Sequence, residues 1–184
     1  LWFGPNDETS QMLPWHGYYT NDLNSQIVPM PVFSANHPEL AEPFLKTFLN
    51  MLPEVKKETK KLYNINGAMF PLCTDPTGKN LTSGMYRYIH CSGPYLGLIY
   101  CWAYKYTKDK KILKEVVYPF LREVVDFFQQ YMKLDENDRY ELYPSQAPEL
   151  PILNCTNPTF TLSLLKVVIE QVIEASKILK IDKE

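Results

Sequence analysis

Residues 112–132 read ILKEVVYPFLREVVDFFQQYM, and the placing of their apolar members decides the fold class. Leu113, Val117, Phe120, Leu121, Val124, Phe128, Tyr131 and Met132 recur three and four apart, which makes one broad face of a helix apolar and leaves the charges to the other. Pro119 falls inside that period without an amide hydrogen for the helical ladder, so a kink or short break is expected there. Downstream, residues 158–179 carry the same period at Leu165, Val168, Ile169, Val172, Ile173 and Ser176, with Asn157 as the expected cap and Pro158 in the first turn. Upstream, residues 94–106 are apolar almost all round, the pattern of a helix buried on both sides. Earlier still, Asn36-His37-Pro38-Glu39 reads as the start of a helix carrying Leu40, Phe44, Leu45, Phe48, Leu49 and Leu52, expected to pass Pro53 and reach about Tyr63. Residues 22–34 form a fifth candidate, interrupted by Pro29 and Pro31, and no segment of convincing length alternates with period two. The class is all-α.

The joints between these helices alternate in length. Residues 36–37 and 107–109 are tight, whereas 64–92 and 134–157 are long and rich in Pro, Gly, Asn, Asp and Tyr. Short and long connections in alternation imply helical hairpins repeating about every 68 residues. Long connections at one phase of such a repeat emerge on one face, and loops of more than about 15 residues are usually functional. Candidate site residues are therefore sought in 1–24, 64–92 and 134–157.

Composition narrows the function. In 184 residues, 19 Lys and Arg against 21 Asp and Glu give a net charge of −2, so no basic field attracts nucleic acid. The longest weakly polar stretch, 96–104, is far short of the roughly 20 residues a bilayer span requires. The chain opens on Leu1 rather than Met, which is read as a processing boundary with any signal peptide already removed. Cys73, Cys91, Cys101 and Cys155 contain no Cys-x-x-Cys pair, and His16, His37 and His90 share no ligand spacing, so no metal site is expected. Fingerprints of phosphate loops, dinucleotide folds and serine hydrolases are missing, and no cofactor is expected. Asn80-Leu-Thr82 and Asn154-Cys-Thr156 fit the glycosylation triplet, a weak signal.

Two loop segments carry most of the chemistry. Residues 14–26, PWHGYYTNDLNSQ, combine aromatic rings suited to the apolar faces of sugars with amides and a carboxylate suited to their hydroxyls. The plainer reading is a capped helix start with Asp22 or Asn24 on free backbone donors. Residues 140–151, YELYPSQAPELP, place Glu149 among prolines in an expected extended loop, where apolar neighbours would raise its pKa as a general acid requires. The middle loop adds Asp75, Tyr86, Arg87, Tyr88 and His90.

Taken in order, Tyr19-Thr20-Asn21-Asp22-Leu23-Asn24-Ser25-Gln26, Asn36-His37-Pro38-Glu39-Leu40-Ala41-Glu42-Pro43, Thr107-Lys108-Asp109-Lys110-Lys111-Ile112-Leu113 with Tyr118-Pro119, and Pro144-Ser145-Gln146-Ala147-Pro148-Glu149 resemble successive blocks of glycoside hydrolase family 95, which includes α-L-fucosidases. The resemblance implies an α/α toroid of six helical hairpins, of which residues 1–184 hold only part. It further implies an inverting enzyme acting on an oligosaccharide or glycan, secreted or periplasmic, whose remaining toroid supplies the general base. By motif match Glu149 is the general acid, and Asp22 and Asn24 help to place the attacking water. Trp15, Tyr19, Asp75, Tyr88 and His90 are expected to contact substrate. Two positions depart from the family pattern: Asp22 replaces an Asn, and Pro71-Leu72 stands where a His pair often binds sugar, with Thr74-Asp75 retained. These departures keep open a carbohydrate-binding or catalytically inactive toroid. A purely structural helical scaffold, the third reading, requires that the long loops do not converge.

Overall fold

The computed structural model describes residues 18–82, 84–150 and 154–182. In chain order these form β1 (Tyr19–Thr20), α1 (Asn24–Ile27), α2 (Met30–Ser34), α3 (Glu42–Tyr63), β2 (Cys73–Thr74), α4 (Ser92–Thr107), α5 (Lys110–Ile112), α6 (Tyr118–Tyr131), β3 (Lys133–Leu134), β4 (Tyr140–Glu141) and α7 (Thr159–Leu179). Helices dominate. The strands are two-residue ties, β1 with β2 and β3 with β4, each antiparallel. No helix among the described residues is long and apolar enough to cross a membrane.

The hairpin repeat is realised. Outer helices begin at 42 and 110 and inner ones at 92 and 159, an interval of about 68 residues in each case. α4 is the axis: Leu96, Ile99, Tyr100 and Cys101 are fully enclosed, and the helix packs against α6 and α7, with α1 and α2 also against it. Two contacts fix its position. The Tyr100 ring stacks on Phe120 of α6 at 3.8 Å between centroids and 6° between planes, while its hydroxyl donates to the Leu45 carbonyl of α3 at 2.6 Å. Gly97 lets α7 approach, since a Cβ there would lie 2.8 Å from a Val168 methyl and 3.1 Å from a Leu121 methyl.

Proline behaves differently at each site. α3 runs unbroken through Pro53, as expected. At Pro119 the disturbance is displaced upstream into a π turn over Leu113–Val117, and the helical path then continues as α6. The widened turn accommodates the missing donor without ending the helix. Residues 22–34 break into α1 and α2 around Val28 and Pro29.

The expected caps do not form. Asn36 adopts φ 60° ahead of a 3₁₀ turn over Pro38–Ala41, and Asn157 adopts φ 53°. The Asn157 side chain instead accepts from the Leu142 amide at 2.8 Å, tying the third long loop to the start of α7. Ile173, expected on the apolar face of α7, is 49 % exposed, because Gln171 and Ala175 take the buried positions instead.

The middle loop is laid along α6 by backbone contacts. Asn66 and Gln130 exchange hydrogen bonds, and the Ala68 amide donates to the Glu123 carbonyl at 2.7 Å. Gly67 permits this approach at φ 89°, where a Cβ would stand 2.3 Å from the Phe127 amide nitrogen. Gly67→Ala is expected to cost at least about 2 kcal/mol, because positive φ and a backbone collision add. Gly84→Ala, at φ 62° in open space, is expected to cost only about 1 kcal/mol. Urea unfolding of the two variants measures the difference.

Candidate active site

The inner helices point their amino ends at one place, and the three long loops meet there. Tyr95 of α4 and Phe160 of α7 touch edge to face at 5.5 Å, joining those two ends. The first loop docks on the second through β1 and β2, through the Asn21 amide on the Leu72 carbonyl at 2.6 Å, and through the Asn21 side chain on the Pro71 carbonyl at 3.1 Å. The second docks on the third through an Ile89–Gln146 bridge and the His90–Ser145 bond, 3.1 Å from Nδ1 to Oγ. A paired Ser145–Cys155 ladder then returns the third loop toward α7. The loops thus converge, against the purely structural scaffold, which expects them to stay apart.

Asp22 lies at the centre, 7 % exposed. Burial raises its pKa, and the negative charge of Glu149 raises it further, against backbone hydrogen bonds at Asp22 and Leu23 that favour the charged form. Residues 127 positions apart in sequence thus share one electrostatic environment. Cys73 and Cys91 adjoin the same carboxyl, their thiols pushed by burial and then by Asp22 to about 11 and about 12, so both are neutral. Asp22 Oδ1, Gln26 Oε1, Ser92 Oγ and Gln146 Oε1 are buried without a hydrogen-bond partner among the described residues. All four belong to the segments that meet here. Thr161 Oγ1 and both amide atoms of Gln171 on α7 are likewise without a partner, so four of the seven such atoms among the described residues gather where the loops meet, and since buried polar atoms normally find partners they suit a polar ligand or water there.

Glu149 differs from its expected setting. It is exposed and sits in a turn at φ 55°, not in an extended stretch, because the Gln146 side chain donates to the Leu150 carbonyl at 2.7 Å and closes residues 146–150. Asn24, the first residue of α1, is exposed. Tyr19 is half-buried with its ring against Phe48 at 5.5 Å. Asp75 turns its carboxylate onto its own loop, taking Thr77 and Lys79, and these bonds hold its pKa down against a desolvation that raises it. Trp15 lies outside the described residues.

His90, expected at the sugar, is 1 % exposed and bonded at both nitrogens, to Ser145 Oγ and, at 3.4 Å, to Tyr63 Oη. Tyr63, Tyr88, Phe127 and Tyr131 surround the ring. This arrangement joins α3 to the loop carrying Glu149, so the imidazole holds the site together from beneath and does not face a ligand. Cys91 and Tyr95, which sequence reasoning passed over, carry no local signal, since only folding brings them to Asp22, whereas Gln26 lies within the motif of residues 14–26. Among the described residues no group of three His, Cys, Asp or Glu is placed to hold a metal ion.

Burial lowers the His90 pKa to about 3, so the folded chain holds a neutral imidazole that protonates near pH 6.5 once unfolded. The unfolded state therefore binds the extra proton, and stability contributed by neutral His90 is lost as pH falls from about 6.5 toward 3. His90→Gln keeps a neutral hydrogen-bonding group and is expected to flatten the decline between pH 6.5 and 4, measured as unfolding midpoint against pH. An equally steep decline in the variant would remove His90 as its source.

The glycosyl hydrolase family 95 catalytic domain model matches residues 6–184. A kojibiose hydrolase of Flavobacterium johnsoniae is 26 % identical over 144 residues, covering 75 % of this chain and 21 % of that protein. Among solved structures, a putative kojibiose phosphorylase from the human microbiome superposes with a TM-score of 0.68 at 21 % identity, covering 77 % of this chain and 21 % of that one. The chain thus spans about a fifth of the length of either relative, and the structural likeness carries the helical toroid architecture. With the family model matched over nearly its whole length, the chain belongs to the glycosyl hydrolase family 95 catalytic domains, a family of glycoside-active enzymes.

Proposed function

We propose that this chain is part of an inverting glycoside hydrolase acting on an oligosaccharide, with Glu149 as general acid. The observation that carries the reading is the meeting of Asp22 and Glu149 at the amino ends of the inner helices, among unpartnered buried polar atoms. In single displacement, Glu149 protonates the glycosidic oxygen while water attacks the opposite face of the sugar, the acid and base carboxyls standing about 6.5–9.5 Å apart. Glu149 is exposed and so reaches a bound glycoside. Asp22, its pKa raised by burial and by Glu149, stands where the family pattern has an amide and helps to orient the water. Asn24, two residues on and exposed at the start of α1, is free to take a second hydrogen bond from the same water. The base belongs to the remainder of the toroid.

Water is favoured over phosphate as the nucleophile because no Lys or Arg is among the groups that act on Asp22, so no cation beside it holds a phosphate. A fucosidase-like preference follows from the family resemblance, but Pro71 and Leu72 are buried, and their carbonyls are taken by Asn21. This stretch offers no imidazole to fucose, which favours another sugar, and the name of the Flavobacterium relative makes kojibiose the first to try.

Glu149→Gln in the intact protein is expected to lower kcat on kojibiose by about 10²–10⁴-fold, the usual loss of a general acid. The loss should shrink on aryl glycosides, whose leaving groups need little protonation. The anomer released, read by NMR immediately after mixing, reports inversion. Unchanged turnover would remove Glu149 from the mechanism, and glycan binding without turnover by the parent would favour an inactive, carbohydrate-binding toroid.

A further inference from the structure

A second cavity, of about 470 Å³, lies beneath the middle loop at the carboxyl ends of α3 and α6. Its volume is in the range of small-ligand sites, roughly 300–1,000 Å³. Tyr63, Tyr86, Tyr88 and Tyr131 line it, with Arg87 and Asn80. Neither Asp22 nor Glu149 is part of its wall. Pro71 and Pro144 are, and these belong to the two loop segments that also build the carboxylate site, with Asn21 bonded to the Pro71 carbonyl. The cavity therefore opens beside the reaction centre, within reach of a ligand longer than the unit being cleaved.

Its walls are set before any ligand arrives. The Tyr63 hydroxyl donates to the Arg87 carbonyl at 3.1 Å, and the Tyr131 hydroxyl donates to the Pro144 carbonyl at 2.7 Å. With those hydroxyls occupied, both residues contribute ring surface. Tyr86 remains 41 % exposed on the 3₁₀ turn Gly84–Tyr88, an aromatic platform kept in water. The Arg87 guanidinium lies over the Tyr88 ring, 5.3 Å from its centroid, which steers the planar fork of donors. Ring faces beside a forked donor and an amide suit a pyranose, whose apolar C–H face stacks and whose hydroxyls accept and donate. With Arg87 the one charged residue of the lining among those described, no carboxylate is present to compete for the fork.

We propose that this cavity is a second saccharide-binding site, which takes an uncharged sugar unit remote from the scissile bond. The inference rests on the hydrolase reading above and extends it: the preferred substrates are chains of three or more units. The test uses an array of neutral and uronate-terminated oligosaccharides of two to five units, probed with the intact protein, with Glu149→Gln, and with Tyr86→Ala and Arg87→Ala. Both of the last two positions are exposed, and unfolding midpoints confirm that the variants fold.

Parent and Glu149→Gln should retain neutral chains of three or more units. Tyr86→Ala and Arg87→Ala should lose at least about 10-fold in affinity for those chains, with hydrolysis of an aryl monoglycoside unchanged. Retention unaffected by either variant, no retained glycan, or retention of uronates alone would overturn the proposal. Retained chains that depend on Tyr86 and Arg87, but that no form of the protein hydrolyses, would overturn the hydrolase reading and leave the cavity standing.

Discussion

Enclosing α4 is the constraint from which the rest follows. A helix with Leu96, Ile99, Tyr100 and Cys101 all buried has no face to offer water, so other helices must cover it on every side. α6, α7 and the short helices before α3 do so, and α3 is tied to it through the Tyr100 hydroxyl. Truncating Phe120 or Tyr100 would open the stacked centre of this arrangement, where large-to-small changes cost about 3–5 kcal/mol. Once α4 is enclosed, its amino end is the exit from the core, and the loops that precede the inner helices are brought to that exit together.

What keeps those loops in place is chiefly hydrogen bonding to backbone groups, with one buried imidazole between them. Asn21 satisfies the carbonyls of Pro71 and Leu72, Ser145 pairs with Cys155, and His90 links Tyr63 to Ser145. Such bonds fix position without placing charge at the site, so the carboxyls of Asp22 and Glu149 are left to set its electrostatics. The unpartnered atoms of Gln26, Ser92 and Gln146 sit at the same meeting point.

Much of the helical framework was legible because burial imposes a period that local sequence records. The apolar series from Leu113 to Phe128 becomes the π turn and the helix α6 that continues it, and the continuous apolarity of residues 94–106 becomes α4. Helix ends were less legible. Asn36 and Asn157 have the chemistry of caps, but each takes a left-handed conformation, and Asn157 spends its side chain on Leu142 across the loop. The site was legible through its motif residues, whereas their environments were not. Burial of His90 depends on contacts between loops more than fifty residues apart, such as His90 with Ser145, which leave no trace in local spacing, while Glu149 is set by the turn that the Gln146 side chain closes on Leu150.

The central claim is that Asp22 and Glu149 share one site, and it can be tested without substrate. The Asp22 carboxyl is followed by ¹³C NMR through a pH titration in the parent protein and in Glu149→Gln. Burial and the Glu149 charge both raise the Asp22 pKa, burial more. Removing the charge should therefore bring the Asp22 midpoint down while leaving it above that of an exposed aspartate. A midpoint that does not move on Glu149→Gln would contradict the convergence from which the proposed activity is argued.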